Sequence, residues 1–269
     1  MKKSRRIILW LSAIPVILLV GMAWVLWGGV SNPAGRKAIG EITPPIGYQR
    51  VEVGDGSFGE FLREFPLQGR GAHMKYYDGS LAYGQYFGYA VLDLPMISQN
   101  EQCCDAVQRM RSEYLFSKGR YSDIHFASCQ NGTMGYGGGG DREALYKYLR
   151  KVYGASNTST LRHELRKKPL TEIAPGDVLV YEADRSHSVG HAVLVVDVAV
   201  NPNNGRKAIM VAQSSMPALT MHIVRDILHP VRSPWVSVDE ENESVFISGI
   251  RFGKDDLRGW PDTKTHKTN

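Results

Sequence analysis

A chain of 269 residues, 43% of them hydrophobic, has the length and apolar content for a well-buried core, which excludes a low-complexity or disordered protein. Its formal net charge of +5 is local: residues 1–37 carry Lys2, Lys3, Arg5, Arg6, Arg36 and Lys37 with no Asp or Glu, leaving 26 basic against 27 acidic residues elsewhere. A nearly neutral body without a basic stripe interleaved with aromatics excludes tracking of a phosphate backbone, so no nucleic-acid partner is expected.

Residues 7–30 are almost wholly apolar, and at about 1.5 Å rise per residue they exceed the roughly 30 Å of a hydrocarbon core. The segment is longer than the apolar part of a secretory signal, and Val30-Ser31-Asn32-Pro33 is a poor cleavage site, so an uncleaved transmembrane anchor is expected rather than a cleaved leader. Four positive charges precede it, and Trp10, Trp24 and Trp27 lie near its ends. The charges should stay in the cytoplasm, which places the C-terminal domain on the periplasmic or extracellular side of a cytoplasmic membrane.

Residues 31–45, rich in Gly, Pro and small side chains, read as a linker, followed by a globular domain over 46–254 and a polar tail over 255–269. Residues 50–53 suit a strand, and Ser57 caps a short helix that stops at Phe65-Pro66. The Tyr-rich stretch 74–89 around Asp78-Gly79 suits paired strands with aromatic cross-strand packing, favoured over a sugar-binding shelf. After a strand over 90–94, Ser98 and Glu101 have the spacing of a capping box for a helix to Lys118. On that helix Cys103, Val107, Met110 and Tyr114 recur as one buried stripe. A strand over 124–127 precedes the Gly-rich stretch 131–140, which lacks the spacing of a phosphate cradle and reads as a mobile surface loop.

Asp141 caps a second helix that turns Leu145, Tyr148, Leu149 and Val152 inward and Arg142, Lys147, Arg150 and Lys151 outward, with Gly154 closing it. The last third reads as strands over 177–181, 191–200 and 208–213, with a turn at Asn203-Asn204-Gly205, then weaker strands over 222–224 and 245–252. Helices followed by an antiparallel sheet argue for an α+β fold. Neither a Cys-x-x-Cys pair nor a His-x-x-x-His helix occurs, so no metal or other cofactor is expected. The three cysteines, Cys103, Cys104 and Cys129, make an odd count in a compartment that permits disulfides, and at least one thiol lacks a partner within the chain.

Pro175-Gly176-Asp177 turning into a strand, Gly190-His191-Ala192-Val193 opening the next, and Val211-Ala212-Gln213-Ser214 closing a third resemble the second half of the NlpC-type and CHAP cell-wall cysteine peptidases. The stretch from Tyr148 to Val180, with Val152-Tyr153-Gly154 and Leu170-Thr171-Glu172-Ile173, is similar to the segment those domains place before their first strand. The resemblance implies a papain-like, NlpC-type core with helices packed on an antiparallel sheet. In such sites a thiolate at a helix N-terminus attacks an amide carbonyl, a His carries the proton and a polar residue orients the His, which implies His191 as base and Gln213 as its orienter.

Aligned on Val152-Tyr153, the family's Cys falls at Ala144 or Leu145, and neither is a nucleophile. Cys103 and Cys104 are the thiols left to fill the role. A Ser98 cap, however, puts them in the second helical turn, beyond the strongest dipole effect, and Cys103 belongs to the apolar stripe, where Cys acts as a small hydrophobe. Cys129 is a candidate disulfide partner. A wider resemblance covers nearly the whole domain through Tyr77-Asp78-Gly79, Gln102-Cys103 with Asp105-Ala106-Val107, Arg111-Ser112-Glu113-Tyr114-Leu115, Gly190-His191-Ala192-Val193 and Ala212-Gln213-Ser214-Ser215-Met216-Pro217-Ala218. On these the chain is similar to the bacterial cell-envelope family designated domain of unknown function 4846.

Three readings are open. The first is a papain-like domain at the outer face of a bacterial membrane that cleaves or binds a peptide-like envelope component such as peptidoglycan stem peptide. The second is a non-catalytic ligand-binding domain that keeps the cleft. The third is an envelope scaffold acting through the Tyr-rich region and the strand at Trp235. The separation between a thiol of Cys103 or Cys104 and the His191 imidazole discriminates among them.

Overall fold

The computed structural model describes Pro15 and residues 30–261, apart from Asn131 and residues 184–187. The expected span over residues 7–30 lies outside the described residues except at Pro15 and Val30. Among the described residues no helix is long and apolar enough to cross a membrane.

In chain order the elements begin with β1 (Gln49–Arg50), α1 (Phe58–Glu64), β2 (Gly88–Val91), α2 (Cys103–Ser117), β3 (His125–Ser128), β4 (Gly132–Gly135), α3 (Arg142–Tyr153), α4 (Thr158–Glu164), β5 (Arg166–Lys167) and β6 (Val178–Tyr181). The strands β7 (His191–Val200), β8 (Lys207–Gln213), β9 (His222–Val224), β10 (Val236–Asp239), β11 (Ser244–Ile247), β12 (Ile250–Phe252) and β13 (Leu257–Gly259) follow. Among the described residues eleven strands share one sheet in the order β12-β11-β10-β8-β7-β6-β13-β5, with β1 joined to β7 and β9 joining β8 to β2. Neighbouring strands at its centre run antiparallel, which with the helices gives the expected α+β class. The β3–β4 hairpin stands apart.

The central strand β7 reads as an unbroken apolar run because both of its faces are covered. Leu194 and Val196 join Val107 and Met110 of α2 and Leu145 and Leu149 of α3 in one core. Val193 and Val195 face the other way, into a second core with Val236, Val245 and Phe252. The sheet curls enough for Phe252 on β12 to reach Tyr181 on β6, ring centroids 5.4 Å apart.

A bulge between Val195 and Asp197 resets the alternation on β7. It delivers the fully buried Asp197 carboxylate to two guanidiniums, Arg50 at 2.5 Å and Arg63 at 2.8 Å. These pairs tie β1 and α1 to the middle of the sheet.

Several boundaries differ from the sequence reading. Ser98 does not begin the long helix: the Glu101 carboxylate accepts the Ile97 N–H at 2.9 Å and faces Arg109 at 3.6 Å, so residues 97–101 close a turn of their own. Gln102 is therefore the cap, and Cys103 is the first helical residue rather than part of the second turn. Residues 132–135 of the Gly-rich stretch form β4 instead of a free loop, paired to β3, whose Phe126 is sunk in the core.

Residues 245–252 are two strands, because Ser248 and Gly249, with φ of 49° and 90°, take the left-handed conformations of a tight hairpin turn. Before β2 the Tyr-rich stretch forms isolated bridges, Lys75–Leu81 and Tyr76–Leu219, rather than paired strands, and Tyr83 is left 90% exposed. The strand expected over 90–94 lies at Gly88–Val91. Asn157 caps the unforeseen α4 by accepting the Thr160 N–H.

Residues 31–45 and 255–261, within the stretches read as linker and tail, pack with the body. Ile39 and Ile42 lie in the helix-side core, β13 pairs with β6, and Trp260 is buried. Asn32 is completely buried: its N–H donates to the Tyr89 carbonyl at 2.5 Å, and its side-chain amide donates to the carbonyls of Arg36 at 2.8 Å and Gln68 at 2.9 Å. Its φ of 46° suits Asn, which tolerates the left-handed region better than most residues.

Candidate functional site

The first N–H groups of α2 have no helical carbonyls to bind, and the helix dipole is positive at that end. Asp105 secures the entry by accepting the Gln102 N–H at 3.0 Å. Because α2 lies across β7 and β8, its tip arrives where β7 opens with His191 and β8 ends with Gln213. His191 Nε2–H donates to Gln213 Oε1 at 2.9 Å, which leaves Nδ1 for the other side of the ring. The Cys103 thiol lies within hydrogen-bond reach of the imidazole and of the Ala192 N–H.

Aromatic rings flank the imidazole, with Tyr181 and Phe252 at centroid distances of 6.4 and 6.5 Å. Gly190 is required by close approach. A Cβ there would come within 2.2 Å of Thr158 Oγ1 and 2.9 Å of the Tyr181 carbonyl, so the lack of a side chain lets the start of α4 abut the entrance of β7.

The adjacent thiols are driven apart electrostatically. A hydrogen bond with Cys104, together with the His191 imidazole and the Ala192 N–H, holds the Cys103 thiol well below its ordinary range against the effect of burial. The hydrogen bond with Cys103, burial and the neighbouring Asp105 push Cys104 far upward, and its S–H points to Asp105 Oδ1 at 3.7 Å. Burial raises Asp105 to about 8. Burial pulls the His191 imidazole down, but the Cys103 thiol and Gln213 outweigh it, and the net displacement is upward. A lowered thiol beside a raised imidazole describes a thiolate–imidazolium pair.

The pair opens onto a cavity of about 620 Å³, lined also by Gln213, His222, Met74 and Phe87. Among the described residues no group of three or more His, Cys, Asp or Glu side chains could hold a metal ion.

Of the residues singled out in the sequence, Cys103, His191 and Gln213 come together in one line. Cys104 sits beside them but is turned toward Asp105. Cys129 is exposed on the β3–β4 connection, and all three thiols are free, so Cys129 is no disulfide partner here. The nucleophile position that the peptidase resemblance implies, Ala144 or Leu145, lies on α3, where Leu145 is fully buried, and the thiol beside His191 is on α2 instead. The sequence reading missed Asp105, whose signal was its place three residues after the true cap, and His222, which looked like any residue of a weak strand.

The model of a family described as domain of unknown function (4846) matches residues 39–138 and 137–259. No curated protein and no solved structure matches the chain.

Proposed function

We propose, for a chain that belongs to the domain of unknown function (4846) family, that the cleft is the active site of a thiol hydrolase acting on an amide of a peptide-like envelope component such as a peptidoglycan stem peptide. Cys103 is the nucleophile, His191 the proton carrier and Gln213 the residue that orients the imidazole. The observation that carries the reading is the Cys103 thiol at the first position of α2, bonded to an imidazole that Gln213 holds from behind. The papain-like character of the core is part of the same proposal and rests on that arrangement and on the likeness of the Gly-His and Pro-Gly-Asp segments to NlpC-type and CHAP peptidases.

In this reading the Cys103 sulfur forms a bond to the amide carbonyl carbon, and the carbonyl electrons move onto oxygen. The oxyanion lies before the N–H groups that begin α2, where fixed dipoles stabilise developing charge. As the C–N bond breaks, the His191 imidazolium gives its proton to the leaving nitrogen and a thioester remains. Water then attacks the thioester, giving a proton to His191 as the thiolate leaves. An anchor formed by the apolar run over residues 7–30 would put this chemistry at the outer face of the membrane.

Incubating the full chain in detergent with peptidoglycan fragments, in parallel with a thiol-directed alkylating probe, tests the reading. New amino and carboxyl termini and selective labelling of Cys103 are expected; no labelled Cys and no new termini would overturn it. The 8% exposure of Cys103 is the observation that favours a binding-only cleft instead. In that case affinity for the fragments survives replacement of all three Cys by Ser, with no turnover by the native chain.

A further inference from the structure

Beyond the catalytic line the sheet continues in register. His191 lies opposite Tyr181 on β6, Gln213 lies opposite His222 on β9, and the His191–Gln213 hydrogen bond joins the two pairs along the rim of the sheet. His222 is 2% exposed, and Nδ1 is engaged with the Thr220 carbonyl at 3.1 Å, which makes Nδ1 the protonated nitrogen. Nε2 is then a lone-pair acceptor, buried, and without a partner among the described residues. The same ring lines the cavity that holds Cys103 and His191. An acceptor buried without a partner carries an uncompensated desolvation cost, so the site gains by taking up a donor.

We infer that His222 Nε2 is a specificity-determining acceptor that receives a backbone amide N–H of the ligand lying in the cleft. The inference rests on the thiol-hydrolase reading and names what the cleft recognises. The chemistry of the lining selects an amide over other donors. Met74, Phe87 and Leu219 supply apolar surface, and the described lining contains neither Lys nor Arg. Its only carboxyl, Asp105, is raised by burial and already accepts the Gln102 N–H, and the Cys103 sulfur is paired with His191, so an ammonium group would find no free counter-charge. Burial, which holds His222 near 4, keeps the ring an acceptor rather than a cation at neutral pH. A neutral N–H on an extended peptide suits these surroundings, and a free carboxylate does not.

The test uses the full chain and a set of tripeptidyl vinyl sulfones, identical except that each backbone amide in turn carries an N-methyl group. The expected result is that methylation at one position slows inactivation of Cys103 at least tenfold in the native chain, and that His222→Phe shrinks this difference to within twofold. Should His222→Phe not fold, nitrogen-resolved NMR of native His222 gives the same answer, Nε2 shifting in the adduct of the unmethylated probe and not in that of the sensitive methylated one. Labelling equally fast at every position, or a methyl effect that persists in His222→Phe, overturns this inference alone. No labelling of Cys103 by any of the set overturns the hydrolase reading and the inference with it.

Discussion

The reactive thiol owes its character to its neighbour. Two adjacent cysteines at the start of one helix are shifted in opposite directions, first by the hydrogen bond between them and then by their surroundings, since Cys103 meets the imidazole while Cys104 meets the Asp105 carboxyl. Alkylation of Cys103 by iodoacetamide should therefore persist at pH 6, where an ordinary thiol is less than about 1% thiolate. Cys104→Ala removes the largest of the influences that lower Cys103, so the acid limb of the rate profile should move to higher pH; an unchanged limb would contradict the assignment. His191→Ala should cost roughly 10²- to 10⁴-fold in turnover. Gln213→Ala should cost less, chiefly in kcat, since it acts through the imidazole. The resemblance to NlpC-type and CHAP peptidases singled out His191 and Gln213, each at the end of an apolar strand beside a turn. Cys103 was visible too, but its stripe of Val107, Met110 and Tyr114 made it look like packing. One residue serves as both, buried in the helix face and open at the helix tip.

At the scale of elements, the long α2 was legible and its start was not. Ser98 and Glu101 have the spacing of a capping box, yet Glu101 is drawn to Ile97 and Arg109, a pairing across four and eight residues that spacing alone does not reveal. That displacement of four residues separates an inert thiol from one in the first turn. Gly190 shows how tightly the neighbouring elements are set. Gly190→Ala should push α4 away from the entrance of β7, and the expected result is a marked loss of turnover with a lowered unfolding temperature, measured on the same preparation. The bulge on β7 gives a second test. Asp197→Ala leaves Arg50 and Arg63 facing an apolar hole, and a loss of about 3–5 kcal/mol by urea unfolding is expected. A loss under about 1 kcal/mol would mean that the pairs are replaceable by water.

For the whole molecule, the buried carboxyls outside any catalytic role decide how stability responds to pH. Burial raises Glu101 to about 7, Asp105 to about 8 and Asp177 to about 6. The folded chain therefore keeps protons that the unfolded chain releases, and stability falls as pH rises through this range. His191, also raised, acts in the same direction, whereas Cys103, lowered, acts against it. His222, lowered to about 4, acts oppositely, but only below its unfolded value near 6.5. Urea unfolding should accordingly show a gain of about 1–3 kcal/mol on going from pH 8 to pH 6, the reverse of what paired surface carboxylates would give. The α+β class was readable from the order of elements. The extent of the body was not, because Gly and Pro between 31 and 45 and the charged run after Lys254 hide isolated core anchors such as Ile39 and Trp260.

The clamp around Asn32 has a mechanical meaning for a chain whose preceding segment is apolar enough to cross a bilayer. With Asn32 bolted into the body and only Ser31 between it and Val30, an anchor over residues 7–30 would join the body without slack. A hydrolase on a long leash sweeps a wide volume, whereas one held by a stiff bracket keeps a constant height and tilt. Such an enzyme would choose its targets by the depth at which they lie in the envelope as much as by their chemistry.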